Sequence, residues 1–113
     1  MTNWYLIVPA ALLLAYFLAS RGGKVPSEKA KELVKNGAKL IDVRSRAEFQ
    51  GGHLEGAINI PVQELETRLK DVGPKEATYV VYCASGMRSG RAKGILKASG
   101  IAEVYDLGAM SRW

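Results

Sequence analysis

A single cysteine, Cys83, opens the stretch Cys83-Ala84-Ser85-Gly86-Met87-Arg88-Ser89-Gly90, the part of this chain best suited to covalent chemistry. The β-prone run Thr78-Tyr79-Val80-Val81-Tyr82 leads into the sulfur, and an amphipathic run from Ser89 to Ser99 leads away from it. A thiol at a strand exit, wrapped by small residues that feed a helix N-terminus, lies where backbone N–H groups and the helix dipole favour an anion. The same surroundings lower a thiol pKa, and the thiolate is the reactive form. Gly86 and Gly90 permit backbone conformations that other residues adopt only under strain, and Arg88 adds a fixed positive charge. A lone cysteine is more often a small buried hydrophobe. Here the strand is already apolar without it, and the loop that follows points to a nucleophile inside an anion cradle.

The elements that must position this sulfur alternate between helix and strand. Ser27 follows Pro26 and is expected to cap a helix with Ala30, Leu33 and Val34 on one face and Gly37 as its stop. Lys39-Leu40-Ile41-Asp42-Val43 reads as a short buried strand, and Arg46 to Gln50 as one or two helical turns broken by Gly51-Gly52. Pro61 opens a further helix with Val62, Leu65 and Leu69 inward, ending near Gly73-Pro74. The strand Thr78–Tyr82 is followed by a helix over Gly90 to Ser99, with Ala92, Ile95, Leu96 and Ser99 on one face. Glu103-Val104-Tyr105-Asp106-Leu107 gives a last strand. Strands separated by helices imply an α/β domain with a parallel sheet covered on both faces. Sites in such sheets gather at the carboxyl ends of the strands, so Asp42-Val43-Arg44 and Cys83 are expected to meet over one pocket.

Composition narrows the function classes. The chain has 113 residues, room for one core, and its formal charge of +5 arises from 16 basic and 11 acidic residues, all after position 20. Bases and acids are interleaved, as in Glu28-Lys29-Ala30-Lys31-Glu32, which marks solvated helix faces and argues against nucleic-acid binding. One cysteine excludes an intramolecular disulfide and a two-cysteine redox relay, and argues against a thiolate metal site. No metal is expected.

The first twenty residues read as a membrane anchor. Trp4 to Ala19 carries no charge, and as a helix it would cover roughly 25 Å, near the lower limit for a bilayer core. Trp4-Tyr5 and Tyr16 suit the two interfaces, and Pro9 is tolerated in a membrane helix. A cleaved signal peptide is the rival reading; no Lys or Arg precedes the apolar run, and Leu18-Ala19-Ser20 is a poor cleavage site. Met1-Thr2-Asn3 has no basic side chain, whereas Arg21, Lys24, Lys29, Lys31 and Lys35 follow the run. The positive-inside bias then places the C-terminal domain in the cytoplasm of a single-pass protein, with a bacterial inner membrane as the expected site. The expected organisation is an anchor over 1–20, a linker over 21–24 and a domain over 25–113.

Several strings in this domain carry a family resemblance. Ile41-Asp42-Val43-Arg44, Glu48-Phe49, Gly52-His53-Leu54, Gly56-Ala57 and Asn59-Ile60-Pro61, in that order, resemble the first signature of the rhodanese superfamily. The strand entering Cys83, its loop, and the closing Asp106-Leu107-Gly108-Ala109 through Trp113 resemble the rest. Together they cover about residues 24 to 113, and the chain is similar to single-domain rhodaneses of bacterial type with an N-terminal anchor added. Ala109 departs from the pattern, standing where many members have a second glycine.

The resemblance implies sulfurtransfer, with Cys83 as catalytic nucleophile and a covalent cysteine persulfide in place of any cofactor. It implies a small anionic sulfur donor (thiosulfate, a polysulfide or a persulfide) and a thiophilic acceptor such as cyanide, sulfite or a thiol. The N–H groups from Ala84 to Ser89, through Ser85, Gly86, Met87 and Arg88, would hold the terminal persulfide sulfur as a nest holds an anion. Arg88 would strengthen that field, Met87 would shape the pocket mouth, and Ser85 and Ser89 would donate hydrogen bonds or cap the loop. Asp42 is expected to steady the loop or a nearby arginine. Arg44 has two readings: an ion pair with Asp42 or Glu48, or a place at the pocket entrance. His53 reads as part of a structural turn. Phosphatases and arsenate reductases of related chemistry place five residues between Cys and Arg, whereas Ala84 to Met87 supply four here. A tethered persulfide carrier or sensing module without turnover is the alternative from another class.

Overall fold

The computed structural model describes residues 23–113. The expected anchor over 1–20 and the first half of the linker lie outside the described residues, and among the described residues no helix is long and apolar enough to cross a membrane. In chain order the elements are α1 (Ser27–Lys35), β1 (Lys39–Asp42), α2 (Arg46–Gln50) and β2 (Ile58–Asn59). A 3₁₀ helix (Val62–Arg68) then runs into α3 (Leu69–Val72), followed by β3 (Thr78–Cys83), α4 (Met87–Ala98), β4 (Glu103–Ala109) and a 3₁₀ turn (Met110–Arg112).

The four strands form one parallel sheet in the order β2-β1-β3-β4. Side chains alternate across a strand, and β3 uses the alternation to serve two cores. Tyr79, Val81 and Cys83 join Ile41, Leu65, Ala92 and Leu96 in one cluster, under α4 and the 3₁₀ helix. Val80 and Tyr82 join Val25, Ala30, Leu40 and Leu107 in the other, under α1, with Trp113 and Met110 packed at its edge. Burial on both faces is why β3 reads as an unbroken apolar run instead of an alternating one. The period also assigns the sulfur a direction: Cys83 shares the face of Tyr79 and Val81, which is the α4 side.

Local differences from the sequence expectation have physical causes. Ser27 is the first residue of α1, not its cap; Pro26 takes the cap position with no side-chain hydrogen bond, and its carbonyl accepts from Ala30 N–H. The run after Pro61 winds as 3₁₀ for seven residues, and the tighter pitch turns Leu69 outward to 36 % exposure while Val72 takes the inner place. The helix after the cysteine starts at Met87, three residues before Gly90, because Gly86 at φ +100° turns the chain straight into it. The two-residue strand β2 is too short to leave a periodic signal.

A bulge between β3 and β4 pairs Val81 with Asp106 and Tyr82 with Gly108, so Leu107 is the extra residue. Gly108 sits at φ +88°, a conformation that suits only glycine. Ala109, by contrast, has φ −71° and ψ 140°, so an ordinary side chain is accommodated there without strain.

Candidate active site

β1 and β3 are neighbours in register, Asp42 beside Tyr82, and the chain leaves β1 toward β2 on one side and β3 on the other. The strand order therefore reverses there, and the crevice at such a switch point is where open α/β sheets bind ligands. The ends carrying Asp42 and Cys83 lie on adjacent strands at the same edge of the sheet.

Cys83 is fully buried. Its Sγ accepts the N–H of Gly86 at 2.9 Å and the N–H of Ser89 at 3.3 Å, and lies 3.5 Å from Ser89 Oγ. Ser89 is the third residue of α4, and no side chain of the preceding residue caps that helix. The sulfur thus takes the place that a cap oxygen fills elsewhere, accepting the third N–H of the helix. Burial alone pushes the Cys83 thiol up. Hydrogen bonds from the Ser89 hydroxyl and from the Ser89, Gly86 and Ser85 N–H groups outweigh it, and the net shift is downward from the ordinary thiol value. Gly86 and Ser89 are buried beside the sulfur, whereas Ala84, Ser85 and Met87 face outward, Met87 with 83 % exposure at the rim.

Arg88 is not a free cation. Its guanidinium is bidentate to Glu48, Nη1 to Oε1 at 2.6 Å and Nη2 to Oε2 at 3.0 Å. Glu48 also closes a capping box with Ser45 at the start of α2. The Arg88 hydrogen bond, aided by the Ser45 backbone N–H, lowers the Glu48 carboxyl to about 2. The expected reinforcement of the anion field by Arg88 is therefore offset by an adjacent carboxylate, and the loop is tied to α2. Sequence reasoning missed this role of Glu48, although the Ser45-x-x-Glu48 pattern announces its position.

Asp42 and Arg44 resolve as a buried pair. Arg44 Nε lies 3.1 and 3.0 Å from the two Asp42 oxygens and Nη2 lies 2.7 Å from Oδ2, and the Arg44 residue is 6 % exposed. Nη2 also donates to Gly52 O at 2.7 Å, and the guanidinium stands over the Tyr82 ring. Leu54 N–H donates to the Tyr82 hydroxyl, and Asn59 Nδ2 donates to the carbonyls of Asp42 and Arg44. Burial is the main cause raising the Tyr82 hydroxyl pKa, so it stays a neutral partner. The string from Asp42 to Asn59 is thus a brace for the strand end; of the two readings for Arg44, the ion pair is the one found. His53 lies at the exposed end of α2, stacked on Phe49 with ring centroids 3.7 Å apart and with Nδ1 2.9 Å from Phe49 O.

One contact had no sequence signal at all. Lys24 Nζ donates to Gly86 O at 2.9 Å and to Asp106 Oδ2 at 2.7 Å, spanning 62 and 82 positions of sequence. Asp106 is itself buried, and its Oδ1 accepts from Gly108 N–H at 2.8 Å.

A parallel sheet and a sulfur held at a strand exit by the N-terminal amides of the next helix define the class of α/β domain. The chain belongs to the rhodanese-like sulfurtransferase family: the model of the rhodanese-like domain matches residues 26–113. It is 42 % identical to thiosulfate sulfurtransferase PspE of Escherichia coli over 71 residues, covering 62 % of this chain and 68 % of that protein. The uncharacterized protein YqhL of Bacillus subtilis is 35 % identical across 100 % of this chain and 94 % of its own length. Among solved structures, the human single-domain sulfurtransferase TSTD1 superposes with a TM-score of 0.71 at 30 % identity, over 80 % of this chain and 93 % of that one.

Proposed function

We propose that this protein takes sulfane sulfur from a small anionic donor onto Cys83 and passes it to a thiophilic acceptor. With thiosulfate as donor, the Cys83 thiolate attacks the outer sulfur. A new S–S bond forms, the old one breaks, and sulfite leaves with its electron pair. The terminal sulfur of the resulting persulfide is an anion, and the N–H groups of the loop, including those of Met87 and Arg88 at the unpaired start of α4, are suited to hold it. Cyanide then attacks that sulfur, leaves as thiocyanate, and returns the thiolate. The observation that carries this reading is the pair of N–H groups, from Gly86 and Ser89, directed at Sγ.

The test is thiocyanate production from thiosulfate and cyanide, with Cys83→Ser as control. Turnover lost in that variant supports the reading; turnover retained in it, or release of phosphate from an aryl phosphate, contradicts it. The complete enclosure of Cys83 favours a second reading, a carrier that discharges its persulfide only to a partner protein that opens the loop. Such a carrier would gain sulfur from the donor yet make no thiocyanate. The apolar run Trp4–Ala19 and the basic residues after it further support placing this chemistry at the cytoplasmic face of a membrane.

A further inference from the structure

The Ser89 hydroxyl faces a conflict that Lys24 is placed to resolve. Ser89 Oγ lies 3.1 Å from Gly86 O, to which it donates, and 3.5 Å from Cys83 Sγ, from which it accepts when the thiol is protonated. A hydroxyl has one proton. When Cys83 ionises, Ser89 stabilises the thiolate only by turning that proton toward the sulfur, which withdraws a donor from the Gly86 carbonyl. That carbonyl is buried within the loop, and a buried acceptor without partners is costly. It keeps two others: the Gly90 N–H at 3.3 Å and the Lys24 ammonium at 2.9 Å. Of these, Lys24 offers the shorter, charge-assisted bond.

We infer that Lys24 is a positioning residue of the sulfurtransfer site, holding the Gly86 carbonyl so that the Ser89 hydroxyl is free to donate to the Cys83 thiolate. The inference rests on Cys83 being the reacting sulfur. Lys24 is fixed in this role from its other side by buried Asp106, whose carboxylate is anchored by Gly108 N–H. The adjacent Val25 N–H donates to Asp106 O at 2.8 Å, so the backbone at the start of the domain is pinned beside it. Among the described residues, the other charged groups around the loop include Arg88 with its partner Glu48, the Asp42–Arg44 pair, Lys93, which feels both Asp106 and Lys24, and Arg112, whose Nη1 donates to Leu107 O beside Gly108. None of these reaches the Gly86 carbonyl within hydrogen-bond distance.

The experiment is the pH profile of Cys83 alkylation by iodoacetamide on the full chain, with no sulfur donor present. It reads the thiolate directly and stands apart from sulfurtransfer: the shifts described below with no sulfur uptake would sink the functional reading and leave only the hold of Lys24 on the Cys83 thiolate. Lys24→Met moves the profile to higher pH and slows alkylation at neutral pH about threefold to tenfold. Lys24→Arg, which keeps a cationic donor, restores most of the loss, and Lys35→Met, an equal charge change at the end of α1, leaves the profile in place. In a Ser89→Ala background Lys24→Met produces no further shift, because there is no hydroxyl left to release. An unshifted profile in Lys24→Met overturns the inference. So does a full shift that persists in Ser89→Ala, which would mean that Lys24 acts through its charge alone.

Discussion

The Cys83 sulfur, the proposed reacting atom, is also the N-cap acceptor of α4. A group with its pKa depressed by folding stabilises the fold above its unfolded pKa and loses that contribution as pH falls through the folded value. The shift of Cys83 is downward, so stability rises with pH between the folded thiol pKa and the ordinary one. Thermal melts across that window should show the rise in the native sequence and a flat response in Cys83→Ser. Gly86 holds the loop at φ +100°, and a Cβ there would approach Lys24 Cε at 3.4 Å. Gly86→Ala should cost about 1–3 kcal/mol in denaturant unfolding and raise the pH at which Cys83 alkylates. In the proposed reaction, Glu48 would set how much of the Arg88 charge an anionic donor meets, because it pairs bidentately with that guanidinium. Glu48→Gln should lower KM for thiosulfate about threefold at low salt, an advantage that fades as salt screens it. Loss of this carboxylate also removes a small stabilising contribution present above pH 4.5 and lost as pH falls toward about 2. With both partners about a third exposed, that contribution is below about 1 kcal/mol.

At the level of elements, the register of β3 decides the chemistry. One residue of slip would send Cys83 to the α1 side, away from every amide it now meets. The packing that locks this register is apolar and separable from the loop. Leu96→Ala, on the buried face of α4, should destabilise the domain by about 2–5 kcal/mol in urea unfolding while leaving the pH profile of Cys83 alkylation unchanged. Most of these elements were legible because their signals are local: the β-prone run before Cys83, the glycine at each helix end, the alternation of helix and strand. The start of α4 was not, since it depends on the left-handed turn at Gly86 and on a sulfur serving as the cap. Leu69 misled for a related reason, as a 3₁₀ pitch rotates its side chain outward relative to an α-helical count. At the site, Cys83 and its loop stood out as a contiguous string. The bond from Lys24 to Gly86 and the pairing of Arg88 with Glu48 join distant segments, and only the folded chain displays them.

Across the described residues, the switch point between β1 and β3 gathers the Cys83 loop and a bracing half. The brace is the buried pair of Asp42 and Arg44, through which the strand end holds Gly52 and, with Tyr82 and Asn59, the connection to β2. Asp42→Asn strands the Arg44 charge in the interior and should cost about 3–5 kcal/mol, read as a lower urea midpoint. The first described residues are part of the same construction, since Lys24 and Val25 bind Asp106 on β4.

The central claim is that Cys83 accepts a sulfur atom and holds it as a persulfide. Intact-mass measurement of the thiosulfate-treated protein tests this most directly. The account predicts a gain of one sulfur atom that cyanide removes and that Cys83→Ser does not show. No gain with thiosulfate, polysulfide or a low-molecular-weight persulfide, or an equal gain in Cys83→Ser, would contradict it.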